Sequence, residues 1–215
     1  TYLEALLGEP TAASTPERRE AFLATAPRLA RWLTSSKIPL NPLRGVADHR
    51  ADLPGARKQG RVLQTQPMDR KALGDWAPRL RPEPTAGGGL LASLLQRGRT
   101  TVTSGESLAG QLLLRATANG VDLWLDSPVT DLIRTGDRVA GVAVRGDGAA
   151  VSVSAGMVLL ASGGFEQNQE LREEYLPLPT DSSWSLCVPT NTGGPLQLAI
   201  ALGAGTADLE AAWWH

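Results

Sequence analysis

The stretch Met157 to Asn168, MVLLASGGFEQN, decides the fold that the rest of the sequence is expected to adopt. Its first four residues are apolar, which predicts a short strand buried on both faces at Met157 to Leu160. This strand runs into Ala161-Ser162-Gly163-Gly164, where two glycines permit a turn and the close approach of another group. A ligand at the carboxyl end of the strand is one such group, and a tight turn with nothing bound is the alternative.

Segments of alternating hydrophobicity precede this stretch and indicate an antiparallel sheet. Strands are predicted at Val121 to Leu125, Val129 to Arg134, Val139 to Arg145 and Val151 to Val153. Turn signals at Thr135-Gly136-Asp137 and Gly146-Asp147-Gly148 join the last three of these strands into a β-meander. A meander followed by a buried strand is the order expected when a β-meander is inserted into a nucleotide-binding α/β sheet.

Helical patterns lie on both sides of the meander. A first helix is predicted to end at Gly8, and a second opens at Thr15-Pro16 and presents Phe22, Leu29 and Leu33 on its apolar face. Further helices are predicted at Gly87 to Arg97, Glu106 to Asn119, Asn168 to Leu176 and Gly193 to Leu202.

The segment from Lys37 to Pro84 differs from the rest because it carries seven prolines among scattered Arg and Gly. It is predicted to be an irregular excursion broken by a short helix at Arg70 to Trp76. An excursion of this length in a compact domain is usually functional, and an ordinary surface connection is the alternative.

Composition excludes several classes of protein. Lys and Arg total 21 against 22 Asp and Glu, so no net field favours nucleic acid or an anionic membrane as a partner. The longest apolar runs fall far short of the roughly 20 residues that span a bilayer, and the N-terminus lacks a signal-peptide pattern, so a cytoplasmic enzyme or enzyme fragment is expected. The single cysteine, Cys187, excludes an intramolecular disulfide, and with only two histidines no zinc site is expected.

Four blocks of sequence, in order along the chain, carry a resemblance to a known family. They are GRVLQTQPMDRKALGDWAPRLRP (60–82), GVDLWLDSPVTDLI with GDRVAGVAV (120–133 and 136–144), VLLASGGFEQN with LREEYLP (158–168 and 171–177), and PTNTGG with LGAGTADLEAAWW (189–194 and 202–214). With these blocks the chain resembles the flavoprotein subunit family of fumarate reductase and succinate dehydrogenase, and within it is most similar to the 3-ketosteroid Δ1-dehydrogenases.

The resemblance implies FAD as cofactor and a fold class. The expected fold is α/β: a partial FAD-binding Rossmann-like domain over 1–168, with the irregular excursion at 37–84 and an inserted antiparallel β-meander at 120–155. Residues 169–215 are expected to form the start of a substrate-capping domain. No GxGxxG fingerprint follows a strand in this sequence, so the chain is interpreted as a segment of a larger flavoenzyme or a degenerate relative of one.

The resemblance also implies cofactor contacts. Val129 matches the position whose backbone meets the adenine, and it is equally explained as a core residue. Ala161, Ser162 and Gly163 match the turn beside the dinucleotide. The family's Thr-Gly-Asp-Gly element aligns with Thr192-Gly193-Gly194-Pro195, so Gly194 replaces the Asp that approaches the flavin.

The implied reaction is dehydrogenation beside a ketone. A 3-keto group acidifies the C2 proton of a steroid, a tyrosine phenolate removes that proton, and hydride leaves C1 for the flavin. The position of one such tyrosine is filled here by His49, in Gly45-Val46-Ala47-Asp48-His49-Arg50. A neutral imidazole can serve as a base, and an exposed loop histidine is the alternative. Tyr175 matches a stretch that the family uses for helix packing.

Three hypotheses therefore remain open. The first is an FAD-dependent oxidoreductase of the ketosteroid dehydrogenase type, present as a fragment, with a steroid-like apolar substrate. The second is a flavoprotein of the fumarate reductase type acting on a dicarboxylate, which would require arginines and a histidine around the substrate. The third is a non-catalytic module that completes its site with a partner chain, self-associates through cut surfaces, or only binds apolar ligands.

Overall fold

The computed structural model describes residues 1–82, 99–146 and 149–212. The chain forms two compact units, Thr1–Leu123 and Trp124–His215. Each unit is described by itself below.

The described residues of the first unit form three α-helices: α1 at Tyr2–Leu7, α2 at Pro16–Ser35 and α3 at Ser104–Ala118. The predicted helix boundaries at Gly8 and Thr15 are confirmed, because Gly8 is the C-cap of α1 and the Thr15 hydroxyl accepts from the N–H of Arg18 at the start of α2. The residues Phe22 and Leu29 on the predicted apolar face of α2 are exposed, and α2 contains no buried residue.

The proline-rich segment is more ordered than the sequence predicts. It contains strands β1 at Leu40–Pro42, β2 at Leu63–Thr65 and β3 at Met68–Asp69. The predicted short helix is confirmed as a 3₁₀ helix at Arg70–Trp76 that is interrupted by a kink at Gly74. Strand β1 pairs antiparallel with β2, and β3 pairs antiparallel with β4 at Thr101–Val102.

The core of the first unit lies where these short elements meet α3. Ile38, Leu73 and Val102 are fully buried, as is the polar Ser107 of α3. The Ser107 hydroxyl donates to the carbonyl oxygen of Gln66 at 2.7 Å, which satisfies the buried hydroxyl and ties α3 to the loop between β2 and β3.

A three-stranded antiparallel meander dominates the second unit. Its strands are β5 at Val129–Thr135, β6 at Arg138–Arg145 and β7 at Ala150–Ser154, in the order β5-β6-β7. The predicted meander is therefore confirmed. The turn between β5 and β6 contains Gly136 at φ 61°, and the predicted turn residues Asp147 and Gly148 lie outside the described residues.

Two predicted strands are absent from the structure. Residues Val121 to Leu125 and Met157 to Leu160 are neither strand nor helix, and the Met157 and Leu159 side chains are each 87% exposed. A strand exists only when neighbouring backbone accepts and donates its ladder hydrogen bonds, and no strand in the described ranges pairs with either segment. An apolar run predicts burial but cannot supply the partner, so both predictions were wrong.

Short helices complete the second unit. Helix α4 spans Gln169–Tyr175, a second 3₁₀ helix spans Ser182–Trp184, and α5 spans Gly194–Ala201. The helices predicted from Asn168 and from Gly193 are confirmed as α4 and α5, with Asn168 and Gly193 as their N-caps. The helix predicted at Gly87 to Arg97 lies outside the described residues.

The structure is thus a mixed helix and sheet fold with small antiparallel sheets, as the α/β prediction required. The predicted domain boundary after residue 168 stays a prediction. Among the residues that the structure describes, no helix is both long and apolar enough to cross a membrane.

Candidate functional site

The predicted cofactor turn, Ala161 to Gly164, lies in the second unit and is neither helix nor strand. Ala161, Ser162 and Gly163 are all exposed. Within the described parts of the chain, no hydrogen bond occupies the backbone groups of residues 161–163. The turn therefore offers free peptide N–H and C=O groups to a ligand.

Gly163 shows why a glycine is needed in this turn. Its φ is 76°, in the left-handed region, and a Cβ placed on it would lie 2.6 Å from the Oδ1 of Asn191. The glycine pair was expected to permit the close approach of a ligand, with a tight turn and nothing bound as the alternative. Among the described residues, the group that comes close to Gly163 is the Asn191 side chain.

Hydrogen bonds join the turn to the loop that precedes α5. The N–H of Gly193 donates to the carbonyl oxygen of Gly164 at 3.1 Å, and the N–H of Gln167 donates to the carbonyl oxygen of Asn191 at 3.0 Å. Gly193 also has a φ of 76°, and a Cβ on it would lie 2.7 Å from the Cδ1 of Leu171. The backbones of the turn and the loop are consequently in direct contact.

The structure thereby places five of the six predicted cofactor residues on two segments that contact each other. These are Ala161, Ser162 and Gly163 on the turn, and Thr192 and Gly194 on the loop. Of these five residues, Ala161, Ser162, Gly163 and Thr192 are exposed and Gly194 is half-buried.

Val129, the sixth predicted cofactor residue, lies at the start of β5, where it pairs with Val144 of β6. The ladder is irregular between Val129 and Asp131. No hydrogen bond or ion pair links Val129 to the turn within the described ranges. Val129 is half-buried, so the core role remains an alternative for it.

The loop fits a dinucleotide in one respect and not in another. A Cβ on Gly194 would meet no described atom within 4 Å, so the space where the family's Asp side chain would stand is open. Pro195 follows at the first turn of α5 and has no N–H to offer. The residues present therefore fit a cofactor held by the turn, with fewer donors at the start of α5.

The predicted catalytic residue, His49, lies in the first unit on an exposed turn. The preceding Asp48 has a side chain only 6% exposed, and its Oδ2 accepts from the N–H of Arg57 and from Arg61, each at 2.7 Å. On the other side, the N–H of Arg50 donates to the Tyr2 hydroxyl at 3.2 Å. These anchors hold both neighbours of His49 and so fix the position of the histidine backbone.

A second ion pair strengthens the same loop. Arg50 donates two hydrogen bonds to Asp52, at 2.9 and 2.7 Å. This hydrogen bonding lowers the pKa of Asp52 to about 2, and it raises the pKa of Arg50. Asp52 is therefore ionised throughout the neutral range.

Tyr175 is positioned for packing. Its ring lies 5.7 Å from the ring of Phe165, in a tilted arrangement. A hydrogen bond with the Glu174 side chain raises the pKa of the Tyr175 phenol, which disfavours a phenolate. These contacts agree with the packing position that the resemblance implies.

An apolar cavity of about 310 Å³ lies within the second unit. Leu132 and Val139 of the meander line one part of it, Leu160 another, and Ala199 and Leu202 at the end of α5 a third. Part of the predicted strand at 157–160 therefore faces this cavity.

Two residues that shape the turn were missed from the sequence. Asn191 contacts Gly163, and Arg172 of α4 donates to the carbonyl oxygen of Glu166 at 3.3 Å while its side chain is buried. Asn191 and Gly163 are far apart in sequence, so no local pattern pairs them. A charged residue in a short helix predicts a solvent-facing side chain, which is the opposite of what Arg172 shows.

The turn 161–164, the loop 191–194 and the antiparallel meander all lie in the second unit of a mixed helix and sheet fold. The chain belongs to the FAD binding domain family, whose sequence profile matches residues 3–215. FAD is accordingly the cofactor of the family, as the sequence predicted.

The relatives of the chain include steroid dehydrogenases. The chain is 28% identical to a 3-oxosteroid 1-dehydrogenase of Mycobacterium tuberculosis, a match that covers 100% of this chain and 44% of that protein. It is 29% identical to a 3-oxosteroid 1-dehydrogenase of Comamonas testosteroni, covering 78% of this chain and 36% of the relative.

A solved structure agrees with these matches. The crystal structure of a 3-ketosteroid Δ1-dehydrogenase from Sterolibacterium denitrificans, in complex with 1,4-androstadiene-3,17-dione, superposes with a TM-score of 0.87. The two sequences are 28% identical, and the match covers 100% of this chain and 45% of the other. The chain thus spans less than half the length of the relatives it matches.

Proposed function

We propose that this chain is part of an FAD-dependent dehydrogenase that acts beside the ketone of a 3-ketosteroid. The observation that carries the proposal is the contact between the exposed turn 161–164 and the loop 191–194, through the Gly193 to Gly164 hydrogen bond of 3.1 Å. Both segments belong to sequence blocks shared with the ketosteroid dehydrogenases. The 3-oxosteroid 1-dehydrogenase of Mycobacterium tuberculosis and the solved 3-ketosteroid Δ1-dehydrogenase, which each align with all of this chain, support the choice of substrate class.

In this proposal the backbone groups of Ala161, Ser162 and Gly163 hold the cofactor, together with Thr192 and Gly194. The backbone of Val129 contacts its adenine end. Bound flavin supplies the hydride acceptor. Main-chain contacts of this kind tolerate changes of side chain, so we expect their strength to depend on backbone shape rather than on residue identity at most of these positions.

His49 is the proposed base. A neutral imidazole nitrogen takes the proton from the carbon beside the substrate ketone, which is acidified by that ketone. The Asp48 and Arg50 contacts fix the backbone on either side of His49, and a fixed backbone limits the positions that the ring can take.

The domain division belongs to the proposal as well. Residues 1–168 would form the cofactor-binding part and residues 169–215 the start of a substrate-capping part. We also place the protein in the cytoplasm, where a chain with the single cysteine Cys187 needs no disulfide.

Steroid-dependent reduction of bound flavin tests the function. The purified chain is loaded with FAD and mixed with a 3-ketosteroid without oxygen, and we expect loss of the oxidised flavin absorbance with formation of the Δ1 product. His49→Ala should lose this reduction and keep FAD binding, and Arg44→Ala, an exposed residue of the same loop, should behave as wild type. Reduction by succinate and not by the steroid would instead support the fumarate reductase type.

A second candidate function is favoured by the apolar cavity of the second unit. Its volume of about 310 Å³ is at the lower end of the range for small-molecule sites, roughly 300 to 1,000 Å³. A non-catalytic module could bind an apolar ligand there without any flavin. Steroid binding by the FAD-free chain that is abolished by Leu132→Trp would support this function, whereas binding that requires FAD would contradict it.

A further inference from the structure

Arg172 is a buried cation that forms no direct ion pair within the described residues, although hydrogen bonding from Ser183 and, to a lesser degree, the charge of Arg172 lower the pKa of the Asp181 carboxyl. The residue is only 4% exposed. None of the ion pairs formed by the described residues includes it, and its Nε is buried without a hydrogen-bond partner among those residues. Burying a guanidinium is costly unless its hydrogen bonds are used well, so the one bond it makes must be structurally important.

That bond reaches the turn. The terminal nitrogen of Arg172 donates to the main-chain carbonyl oxygen of Glu166 at 3.3 Å. Glu166 follows the glycine pair by two positions. The contact therefore fixes the carboxyl end of the turn from α4, a separate element.

The Glu166 side chain acts on the same turn from the other direction. A Cβ placed on Gly164 would lie 3.0 Å from each carboxylate oxygen of Glu166, so the carboxylate folds back over Gly164. Its Oε2 is buried and has no hydrogen-bond partner among the described residues. The position of the Glu166 backbone therefore helps to set where this carboxylate lies over Gly164.

Two backbone hydrogen bonds connect the turn region to the loop before α5. The carbonyl oxygen of Gly164 accepts from the N–H of Gly193, and the N–H of Gln167 donates to the carbonyl oxygen of Asn191. A shift of the backbone at Glu166 would move Gln167 directly and Gly164 through Phe165, and hence would disturb both bonds.

We propose that Arg172 is a positioning residue for the cofactor turn: it holds the backbone of Glu166 and thereby keeps residues 161–164 in the shape that receives FAD. That the ligand is FAD rests on the proposed function. That Arg172 holds the backbone of the turn does not depend on any ligand.

Hydrogen exchange in the cofactor-free chain tests whether Arg172 holds the backbone of the turn. In Arg172→Met we expect the amides of Gln167 and Gly193 to exchange about tenfold faster relative to the amides of β6, because their bonds lose support. Arg172→Lys, which retains a cationic donor, should restore much of the protection. A merely structural role in the helix would not give this recovery.

Gln169→Ala is the matched control. Gln169 lies on the same helix, donates to the carbonyl oxygen of Thr180 at 3.0 Å and accepts from the N–H of Ser182 at 2.8 Å, so it ties α4 to a different loop. This variant should leave exchange at Gln167 and Gly193 unchanged relative to β6. Equal effects of Gln169→Ala and Arg172→Met would overturn the inference, as would unchanged exchange in Arg172→Met.

FAD affinity then separates the inference from the proposed function. If the wild-type chain binds FAD, Arg172→Met should weaken binding about tenfold and Arg172→Lys should recover it. Binding by wild type with equal affinity in Arg172→Met would overturn the link to the cofactor. Absence of binding by wild type would refute the proposed function, and the exchange result would still decide the role of Arg172 in the turn.

Discussion

Gly163 combines two constraints that only glycine satisfies together: a φ of 76° and an Asn191 oxygen 2.6 Å from where a Cβ would stand. Gly163→Ala should therefore lower the free energy of unfolding by about 2 kcal/mol, from backbone strain and from displacement of Asn191. Urea unfolding monitored by circular dichroism measures this change. Adding Asn191→Ala should recover the steric part and leave the strain.

Gly156→Ala is the control for this change. A Cβ on Gly156 meets no described atom within 4 Å, and Gly156 is not among the positive-φ glycines. Its effect should stay within about 0.5 kcal/mol. If Gly163→Ala were equally mild, the Asn191 side chain would not lie close to Gly163 in solution.

Asp52 provides a residue-scale test in the His49 loop. Hydrogen bonding by Arg50 lowers the pKa of Asp52 from 3.8 to about 2, so Arg50→Gln should return that pKa toward 3.8. A carboxyl whose pKa is lower in the folded chain stabilises it above the unfolded pKa, so this contribution should disappear as the pH falls from about 4 to 2. NMR titration of the Asp52 carboxyl carbon measures the shift.

Arg44→Gln, in the same exposed loop, serves as the control for that titration. It should leave the Asp52 pKa near 2. An Asp52 carboxyl that titrates near its ordinary value in the wild type would show that the Arg50 pair does not form.

At the scale of elements, a buried ion pair fastens the 3₁₀ helix to α3. Arg70 contacts the Glu106 carboxylate at 2.7 Å, and the Glu106 side chain is only 4% exposed. Arg70→Met leaves that carboxylate buried and unpaired, which should cost about 3 to 5 kcal/mol in urea unfolding. Replacing both residues by apolar ones, Arg70→Met with Glu106→Leu, should recover much of the loss.

An exposed ion pair serves as the comparison for the buried Arg70–Glu106 pair. Arg134 lies 3.6 Å from Asp137 on the solvent-facing turn between β5 and β6. Arg134→Met should change stability by less than about 0.5 kcal/mol. A similar small effect for Arg70→Met would mean that Glu106 is hydrated in solution.

The elements also show what the sequence can predict. Helix ends at Gly8, Thr15 and Asn168 are correct because capping is a local interaction between a residue and the next turn. The strand predicted at Met157 to Leu160 is wrong because strand formation depends on a partner that an apolar run does not specify.

The candidate site likewise has a part that the sequence predicts and a part that it does not. The resemblance places Ala161 to Gly163 and Thr192 to Gly194 at the cofactor, and the structure brings these two segments into contact through Gly164 and Gly193. The long-range contacts that shape the turn, from Asn191 and Arg172, leave no local signal in the sequence and emerge only from the packing.

At the scale of the whole molecule, the exposed apolar segment at 157–160 predicts self-association. The Met157 and Leu159 side chains are each 87% exposed, and such surfaces associate when they are contiguous. We expect sedimentation velocity to show concentration-dependent association that the double change Met157→Glu with Leu159→Glu reduces. Leu178→Glu, at another exposed leucine, should leave it unchanged, and a monomeric wild type at all concentrations would contradict the prediction.

The most direct measurement is a titration of the purified 215-residue chain with FAD, followed by quenching of flavin fluorescence, in the wild type and in Gly163→Ala. We expect saturable binding by the wild type and at least about tenfold weaker binding by Gly163→Ala, since main-chain contacts require the shape of the turn. Gly156→Ala should bind as the wild type does. Absence of binding, or equal binding by wild type and Gly163→Ala, would contradict the assignment of the turn at 161–164 as the cofactor site.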